Sequence, residues 1–334
     1  MSRPVAEASV LRVENLTVDF QTPAGLVNVL DGVSFELGEQ ETLGVLGESG
    51  AGKSVLADAL LGLIPSPPGR VRGRVLYRGT DLNTLGERAL ARIRGKDIAM
   101  IFQDPTSALN PVFRVGAQVA EPLELHLGLR RGAALRRVVD LFRRVGIPSP
   151  ESRIASYPHQ FSGGMRQRVV ISMGIGCRPR LLVADEPTSS LDVTIQAQIL
   201  ELVRDLVREL GTAVVFIFND LAVISHMCQR VLVLYAGQVV EEGPVDVVFA
   251  RPRHPYTQGL LRSVPRLGVR RLEPIPGHLP TPHEYVPGCR FHPRCPLPEK
   301  DEHCARLRPA LDAVGPGHRV GCWKVEEHER AARG

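Results

Sequence analysis

The hydrophobic pattern changes period several times along the chain. LRVENLTVDF, from Leu11, and NVLDGVSFEL, from Asn28, alternate apolar and polar residues with the turn sequence TPAG between them, which predicts an antiparallel hairpin region. ETLGVLGESGAGKSVLADALLGLI then runs from an apolar strand through glycines into a helical period, the start of an α/β unit. Residues 104 to 180 are mostly helical in pattern, with interruptions expected at Pro111, Pro122, Pro148 and Pro158, and read as an inserted helical lobe. RLLVADE and TAVVFIFND are short β-rich runs with a helix from about Val193 to Leu210 between them, so a parallel core sheet is expected to resume. After Gly243 prolines, histidines and cysteines become frequent and apolar periodicity weakens, which places a domain boundary near 250.

With 334 residues, 43% apolar and 23% charged, the chain can bury one large domain and a smaller one, and disorder is excluded. The longest apolar runs fall far short of the ~20 residues of a membrane span, and no charged-then-apolar leader opens the chain. A soluble, unexported protein is expected. The net charge of +5 does not add a nucleic-acid partner: basic residues are scattered apart from Arg130, Arg131, Arg136, Arg137, Arg143 and Arg144, and only four of 41 are lysine.

GESGAGKS, Gly47 to Ser54, fits G-x-x-x-x-G-K-[ST] between a predicted strand and a predicted helix. Its glycines accept the dihedrals that turn backbone N–H groups onto phosphate oxygens at a helix N-terminus. Lys53 then supplies a point charge to the β/γ-phosphates and Ser54 a hydroxyl to Mg²⁺, so ATP or GTP binding is expected. LLVADEP is an apolar strand ending in two acids, Asp185 for the Mg²⁺ shell and Glu186 for polarising the attacking water. Alone, such a pair is an ordinary solvated turn; after a phosphate loop it becomes the second half of a hydrolytic site. A third element, FSGGMRQRV at Phe161 to Val169, joins a serine and two glycines to a basic helix, which by itself reads as a capped helix start.

Together GESGAGKS, FSGGMRQR and LLVADEPTSSLD resemble the nucleotide-binding subunit of ATP-binding cassette (ABC) transporters, whose LSGGQ-type signature stands here as FSGGM. The resemblance covers nearly the whole chain. It implies an α/β fold: an ABC-type P-loop NTPase with a RecA-like core, an antiparallel β subdomain and an inserted helical subdomain, plus a small Cys/Pro-rich C-terminal extension. Residues 1–250 would form the nucleotide-binding domain, with the helical subdomain at about 104–180, and 251–334 the extension. Nucleotide contacts are implied for Gly47, Glu48, Ser49, Gly50, Ala51, Gly52, Lys53, Ser54 and Val55, and Phe20 matches the aromatic that stacks on adenine. Gln103 in IFQDP matches the glutamine that contacts Mg²⁺ and senses the permease. Ser189 to Asp192 matches the loop through which two subunits communicate, with Ser190 where alanine is commoner. Two subunits of this family face each other head to tail, so Ser162, Gly163, Gly164, Met165 and Asp192 would act on ATP held by the partner's phosphate loop.

The resemblance also exposes a departure. Where the family ends the strand after the acids in a pattern like THDL, with a histidine at the γ-phosphate, this chain reads FNDL. Asn219 can donate through its amide but cannot carry charge or shuttle a proton. His226 lies seven residues on, roughly 10 Å along a helix. Loss of one preorganised donor typically costs about 10² to 10³ in rate, which suggests slow hydrolysis at this chain's own site and a heterodimer with one strong and one weak site.

RHPYTQGLLRSVP at 253 to 265, IPG at 275 to 277 and GCRFHPRCP at 288 to 296 resemble the C-terminal extension of the peptide-importer branch of ABC ATPases, which takes up di- and oligopeptides and sometimes nickel. The implied partners are a second, related ATPase subunit, two transmembrane permease subunits and, indirectly, an extracytoplasmic peptide-binding protein, with no nucleic acid. The implied place is the cytoplasmic face of the plasma membrane, held peripherally. Cys289, Cys295, Cys304 and Cys322 crowd a proline-rich, core-poor segment and suggest a staple. Disulfides are improbable in an unexported protein, and the close cysteine pair of a zinc site is absent. Members of the branch carry a [4Fe–4S] cluster here, which the resemblance implies, with zinc as the alternative. His292, His303 and His318 nearby read as exposed loop residues. The functional expectation is ATP hydrolysis coupled to peptide import. The alternative is a mainly ATP-binding regulatory half.

Overall fold

A computed structural model of the chain describes residues 9–189, 191–263 and 274–325. Ser190 of the SSLD run, and Val264 and Pro265 of the 253–265 motif, lie outside the described residues. The chain divides into two compact units, one of Met1–Leu11, Glu36–Glu41 and Leu76–Phe216, the other of Arg12–Phe35, Thr42–Val75 and Ile217–Gly334.

The first unit is organised around a strand with no polar face. Leu181–Asp185 is buried at every position, which demands cover on both sides and suits parallel pairing. It pairs in parallel with Ile98–Ile101, Ile98 opposite Leu181 and Ile101 opposite Ala184. The helix Gly163–Gly176 lies against this pair: a Cβ on Gly174 would stand 3.3 Å from Ile101 and 3.7 Å from Leu182. The helices Val115–Leu127 and Arg131–Arg144 meet the same helix at Gly176, through Leu123 and Leu141. Short helices at Pro105–Ala108 and Pro150–Arg153 and a 3-10 turn at Pro158–Gln160 also lie in this stretch.

One expected interruption is absent, because Pro122 sits inside Val115–Leu127. Proline removes one N–H and crowds one carbonyl, and burial of Val119, Ala120 and Leu123 around it holds the helix together. The helix Val193–Leu210 has the bounds its period predicts and buries Ile199, Leu200, Val203, Leu206 and Val207 as a stripe at helical spacing.

In the second unit Thr42–Leu46 pairs in parallel with Arg230–Tyr235, Leu43 opposite Arg230 and Leu46 opposite Val233. Gly44 lets the helix Leu221–Met227 close on that strand, since a Cβ there would meet Ile224 at 2.9 Å and the Cys228 sulfur at 3.0 Å. Cys228, and Cys177 in the first unit, are buried as their apolar surroundings imply. The expected amino-terminal hairpin corresponds to the neighbouring strands Leu11–Thr22 and Gly25–Leu37.

The tail of the chain joins the same unit. Gln238–Pro244 runs antiparallel to Arg230–Tyr235, and His318–Val320 pairs onto it with Glu241 opposite Val320. The stretch beyond 250 is not core-poor, which corrects the compositional reading. Tyr256 and Phe291 are fully buried and meet Tyr235 at ring-centroid distances of 4.6 and 5.1 Å. Isolated aromatics carry no period, so pattern analysis passes over them. His318 is likewise buried rather than exposed, with Nε2 2.8 Å from the Glu241 carboxylate.

Candidate functional site

The strand Thr42–Leu46 delivers the chain into Gly47 to Ser54. At Gly47 a Cβ would stand 2.3 Å from the Leu234 carbonyl oxygen, so only glycine fits without moving the neighbouring strand. Gly50 and Gly52 take φ values of +84° and +101°, the left-handed region that glycine enters at no steric cost. Gly52 is also the N-cap of the helix Lys53–Leu60, which has no side-chain cap. The first N–H groups of an α-helix have no intrahelical acceptor and favour an anion there.

Lys53 is only 5% exposed, and its ammonium donates to the Gly47 and Glu48 carbonyls, each at 2.9 Å. Ser49 and Ser54 are exposed, Ala51 is buried and Val55 half-buried. Phe20 belongs to the same unit, half-buried on its strand.

Residues of the carboxy-terminal extension bear directly on this loop. The Glu48 N–H donates to the Tyr256 hydroxyl at 2.9 Å. The Arg294 guanidinium grips the Glu48 carboxylate with both terminal nitrogens, Nη1 to Oε2 at 2.7 Å and Nη2 to Oε1 at 3.1 Å. Arg294 Nε donates to the Pro276 carbonyl at 2.9 Å. Burial alone lowers the affinity of Arg294 for its proton, but the bonds to Glu48 and Tyr235 outweigh it and hold the guanidinium firmly charged. Arginine placed between two of the clustered cysteines gave no sequence signal of this role.

In the first unit the structure joins two candidates that lie far apart in sequence. Gln103 Nε2 donates to Glu186 Oε2 at 3.0 Å. Glu186 follows Asp185, which is buried at the strand end, and takes a φ of +41°. A non-glycine residue in that region costs of order 1–3 kcal/mol and persists only where its surroundings enforce it. Here the Glu186 carbonyl accepts from both the Ser189 N–H and the Ser189 hydroxyl, each at 3.2 Å.

The signature residues carry structural duties as well. The Ser162 hydroxyl accepts from the Met165 N–H at 3.3 Å and caps Gly163–Gly176. Asp192 caps Val193–Leu210 by accepting from the Ile195 N–H at 3.0 Å. A Cβ on Gly164 would stand 2.8 Å from Ile195 Cγ2, and one on Gly163 would stand 3.4 Å from Leu191.

Asn219 is exposed directly after the buried strand Ala213–Phe218. Asp220 accepts from the Ala222 N–H at 2.8 Å and caps Leu221–Met227. His226 lies in the last turn of that helix.

Cys289, Cys295, Cys304 and Cys322 all line one cavity, with Phe291, Leu297 and Trp323 among its other walls. The Cys289 N–H donates to the Cys304 carbonyl at 2.8 Å, which ties two of the segments together. Burial pushes the Cys289 thiol up to about 12 and the Cys322 thiol up to about 11, and raises Cys295. Among the described residues no group of three or more His, Cys, Asp or Glu stands ready to hold a metal ion. The four thiols share a cavity without being drawn together as the ligands of a formed centre.

Two family models match the chain: ABC transporter over residues 30–189, and Oligopeptide/dipeptide transporter, C-terminal region, over 240–304. The chain is 51% identical over 275 residues to the oligopeptide transport ATP-binding protein OppD of Bacillus subtilis, covering 81% of this chain and 77% of OppD. It is 45% identical over 326 residues to the dipeptide transport ATP-binding protein DppD of the same organism, covering 97% of each. The solved dimeric ATP-binding cassette MJ0796, bound to ADP and Pi, superposes with a TM-score of 0.63 at 25% identity, over 70% of this chain and 98% of that one. CbiO1 of Clostridium perfringens, part of an ABC transporter complex, gives a TM-score of 0.61 at 27% identity, over 73% and 92%.

The fold and its phosphate loop are those of an ABC-type ATPase. The chain belongs to the ABC transporter family, in the branch whose members carry the oligopeptide/dipeptide transporter C-terminal region.

Proposed function

We propose that the chain is the ATP-hydrolysing subunit that energises import of di- or oligopeptides through a membrane permease. The observation that carries this reading is likeness to OppD and DppD along nearly the whole chain, extension included. The names of these relatives give no support to the alternative of a regulatory half. Nickel as cargo stays a matter for the permease and binding protein, which choose the solute.

The loop residues fit a triphosphate: glycine dihedrals, an uncapped helix start and a buried ammonium form an anion cradle. Lys53 and the N–H groups of Gly47 to Val55 hold the phosphates, and Phe20 takes the adenine. Ser54, Asp185 and Gln103 hold Mg²⁺, which when bound neutralises charge on the phosphates. Glu186, oriented by Gln103 at 3.0 Å, takes a proton from the attacking water. Asn219 offers an amide hydrogen bond to the γ-phosphate. Ser162, Gly163, Gly164 and Met165, with Asp192, close over the nucleotide held by the phosphate loop of a second ATPase subunit. Binding draws two subunits together and hydrolysis releases them, a gating cycle that moves the permease.

The domain division proposed is 1–250 for the nucleotide-binding part and 251–334 for the extension. Two permease subunits, an extracytoplasmic peptide-binding protein and a related second ATPase complete the assembly, peripheral to the cytoplasmic face. Among the described residues no helix is long and apolar enough to cross a membrane.

Cys289, Cys295, Cys304 and Cys322 are proposed as ligands of a [4Fe–4S] cluster, supported by their shared cavity. Ligation requires thiolates, so it releases protons from thiols that burial otherwise keeps protonated. Iron, sulfide and visible absorption in anaerobically purified protein support the cluster. Stoichiometric zinc in a colourless sample refutes it.

ATP turnover of the purified protein with its partner subunit tests the main reading. Lys53→Ala should abolish nucleotide binding, and Glu186→Gln should retain binding while losing turnover. Unchanged turnover in both variants rejects it.

A further inference from the structure

We propose that Arg294 is a positioning residue for the phosphate loop, so that the carboxy-terminal extension sets how tightly the loop holds a nucleoside triphosphate. The inference rests on reading Gly47 to Ser54 as that loop.

Glu48 is held on three sides. Its N–H is taken by the Tyr256 hydroxyl, its carbonyl by the Lys53 ammonium and its carboxylate by the Arg294 fork. Two of those three partners come from beyond residue 250. The fork is geometrically specific, because a planar guanidinium matches a carboxylate with two parallel bonds and a lysine cannot. The Arg294 side chain is 6% exposed, whereas the Glu48 side chain is 29% exposed. The anchor is therefore buried and the residue it holds is half-buried.

The anchor has its own support. Arg294 Nε is fixed by the Pro276 carbonyl, and Phe291, three residues earlier, packs on Tyr235 and Tyr256 with centroids 5.1 and 5.4 Å away. The segment after Pro276 also reaches the loop, since a Cβ on Gly50 would stand 3.3 Å from Leu279 Cδ2. A glycine-rich loop left to itself samples many conformations, and fixing each residue costs conformational entropy. Restraint already in place lowers the cost of closing the loop on an anion. Glu48 also places a carboxylate beside the loop that receives phosphates, and the Arg294 fork neutralises it.

The test uses the full chain and equilibrium binding of Mg·ATP to wild type, Lys53→Ala, Arg294→Ala, Arg294→Lys, Glu48→Gln and the Arg294→Ala/Glu48→Gln pair, with Tm measured beside each. Wild type should bind and Lys53→Ala should not. Arg294→Ala and Glu48→Gln should each weaken binding about tenfold, the change that 1.4 kcal/mol makes. The double variant should bind no more weakly than the worse single variant, and Arg294→Lys should fall between. If Arg294→Ala fails to fold, the isosteric change Glu48→Gln decides alone. Lowered Tm with wild-type affinity in Glu48→Gln and Arg294→Lys overturns the proposal, as does multiplication of the two losses. Equal binding by wild type and Lys53→Ala overturns the reading of the loop itself.

Discussion

The approach of Gly164 to Ile195 gives a prediction that can be worked from distances. A Cβ added at Gly164 would stand 2.8 Å from Ile195 Cγ2, whereas carbon atoms in contact settle at about 3.5–4.0 Å. Either the Ile195 side chain or the two helices must therefore give way by roughly 0.7–1.2 Å. Overpacking of this size costs about 1–3 kcal/mol. Gly164 is the second residue of its helix, so alanine recovers less than the ~1 kcal/mol it gains in a helix interior. Gly164→Ala should lower the Tm of the full chain by a few degrees. It should also displace Ser162 and Met165, and misplacement of about 1 Å can cost up to about 10²-fold in turnover. Ile195→Ala removes the obstructing methyl, so the double variant should be less destabilised than the sum of the singles by at least about 0.5 kcal/mol. Denaturation of the four proteins and ATP turnover with the partner subunit measure both effects. Strictly additive losses, or a Gly164→Ala protein with wild-type stability, refute the packing argument.

Two further predictions concern other sites. Asn219→His, assayed with the partner's own site disabled, should leave turnover within a few-fold of wild type, because the Asn219 amide already supplies a donor; a rise of about 10² to 10³ would make this chain's own site the weak half and refute its role as the hydrolysing subunit. The Asp301 carboxylate accepts from the Cys304 N–H and pairs with Lys324 at 3.0 Å, which holds its pKa at about 2. A depressed carboxylate contributes stability above its unfolded pKa of ~3.9, and that contribution disappears as pH falls through the folded value. Asp301→Asn should therefore lower Tm near neutral pH, with the two Tm curves converging below about pH 4; a constant offset across that range contradicts the assignment.

What could be read in advance was what is local in sequence. The phosphate loop, the strand ending in Asp185 and Glu186, and the helix Val193–Leu210 each announce themselves within a short window, because glycine dihedrals, a burial run and a helical period are short-range properties. Asp220 and Asp192 as helix caps belong to the same class. The contacts that were missed are long-range and single. Arg294 reaches Glu48 across 246 positions and Tyr256 reaches it across 208, and nothing periodic marks either. His318, bonded to Glu241, is similar, a loop histidine by composition and a buried one because the last strands add to a sheet. Pro122 failed in the other direction, since a helix buried on its flanks tolerates one lost hydrogen bond.

The central claim, that ATP hydrolysis by this chain drives peptide uptake, is tested most directly in proteoliposomes. They would contain the permease, both ATPase subunits and a peptide-loaded binding protein, with labelled dipeptide and ATP on opposite sides. The account predicts uptake that needs ATP and stops with Glu186→Gln in this chain. Uptake that continues unchanged with Glu186→Gln, or ATP hydrolysis at full rate with no peptide crossing, contradicts it.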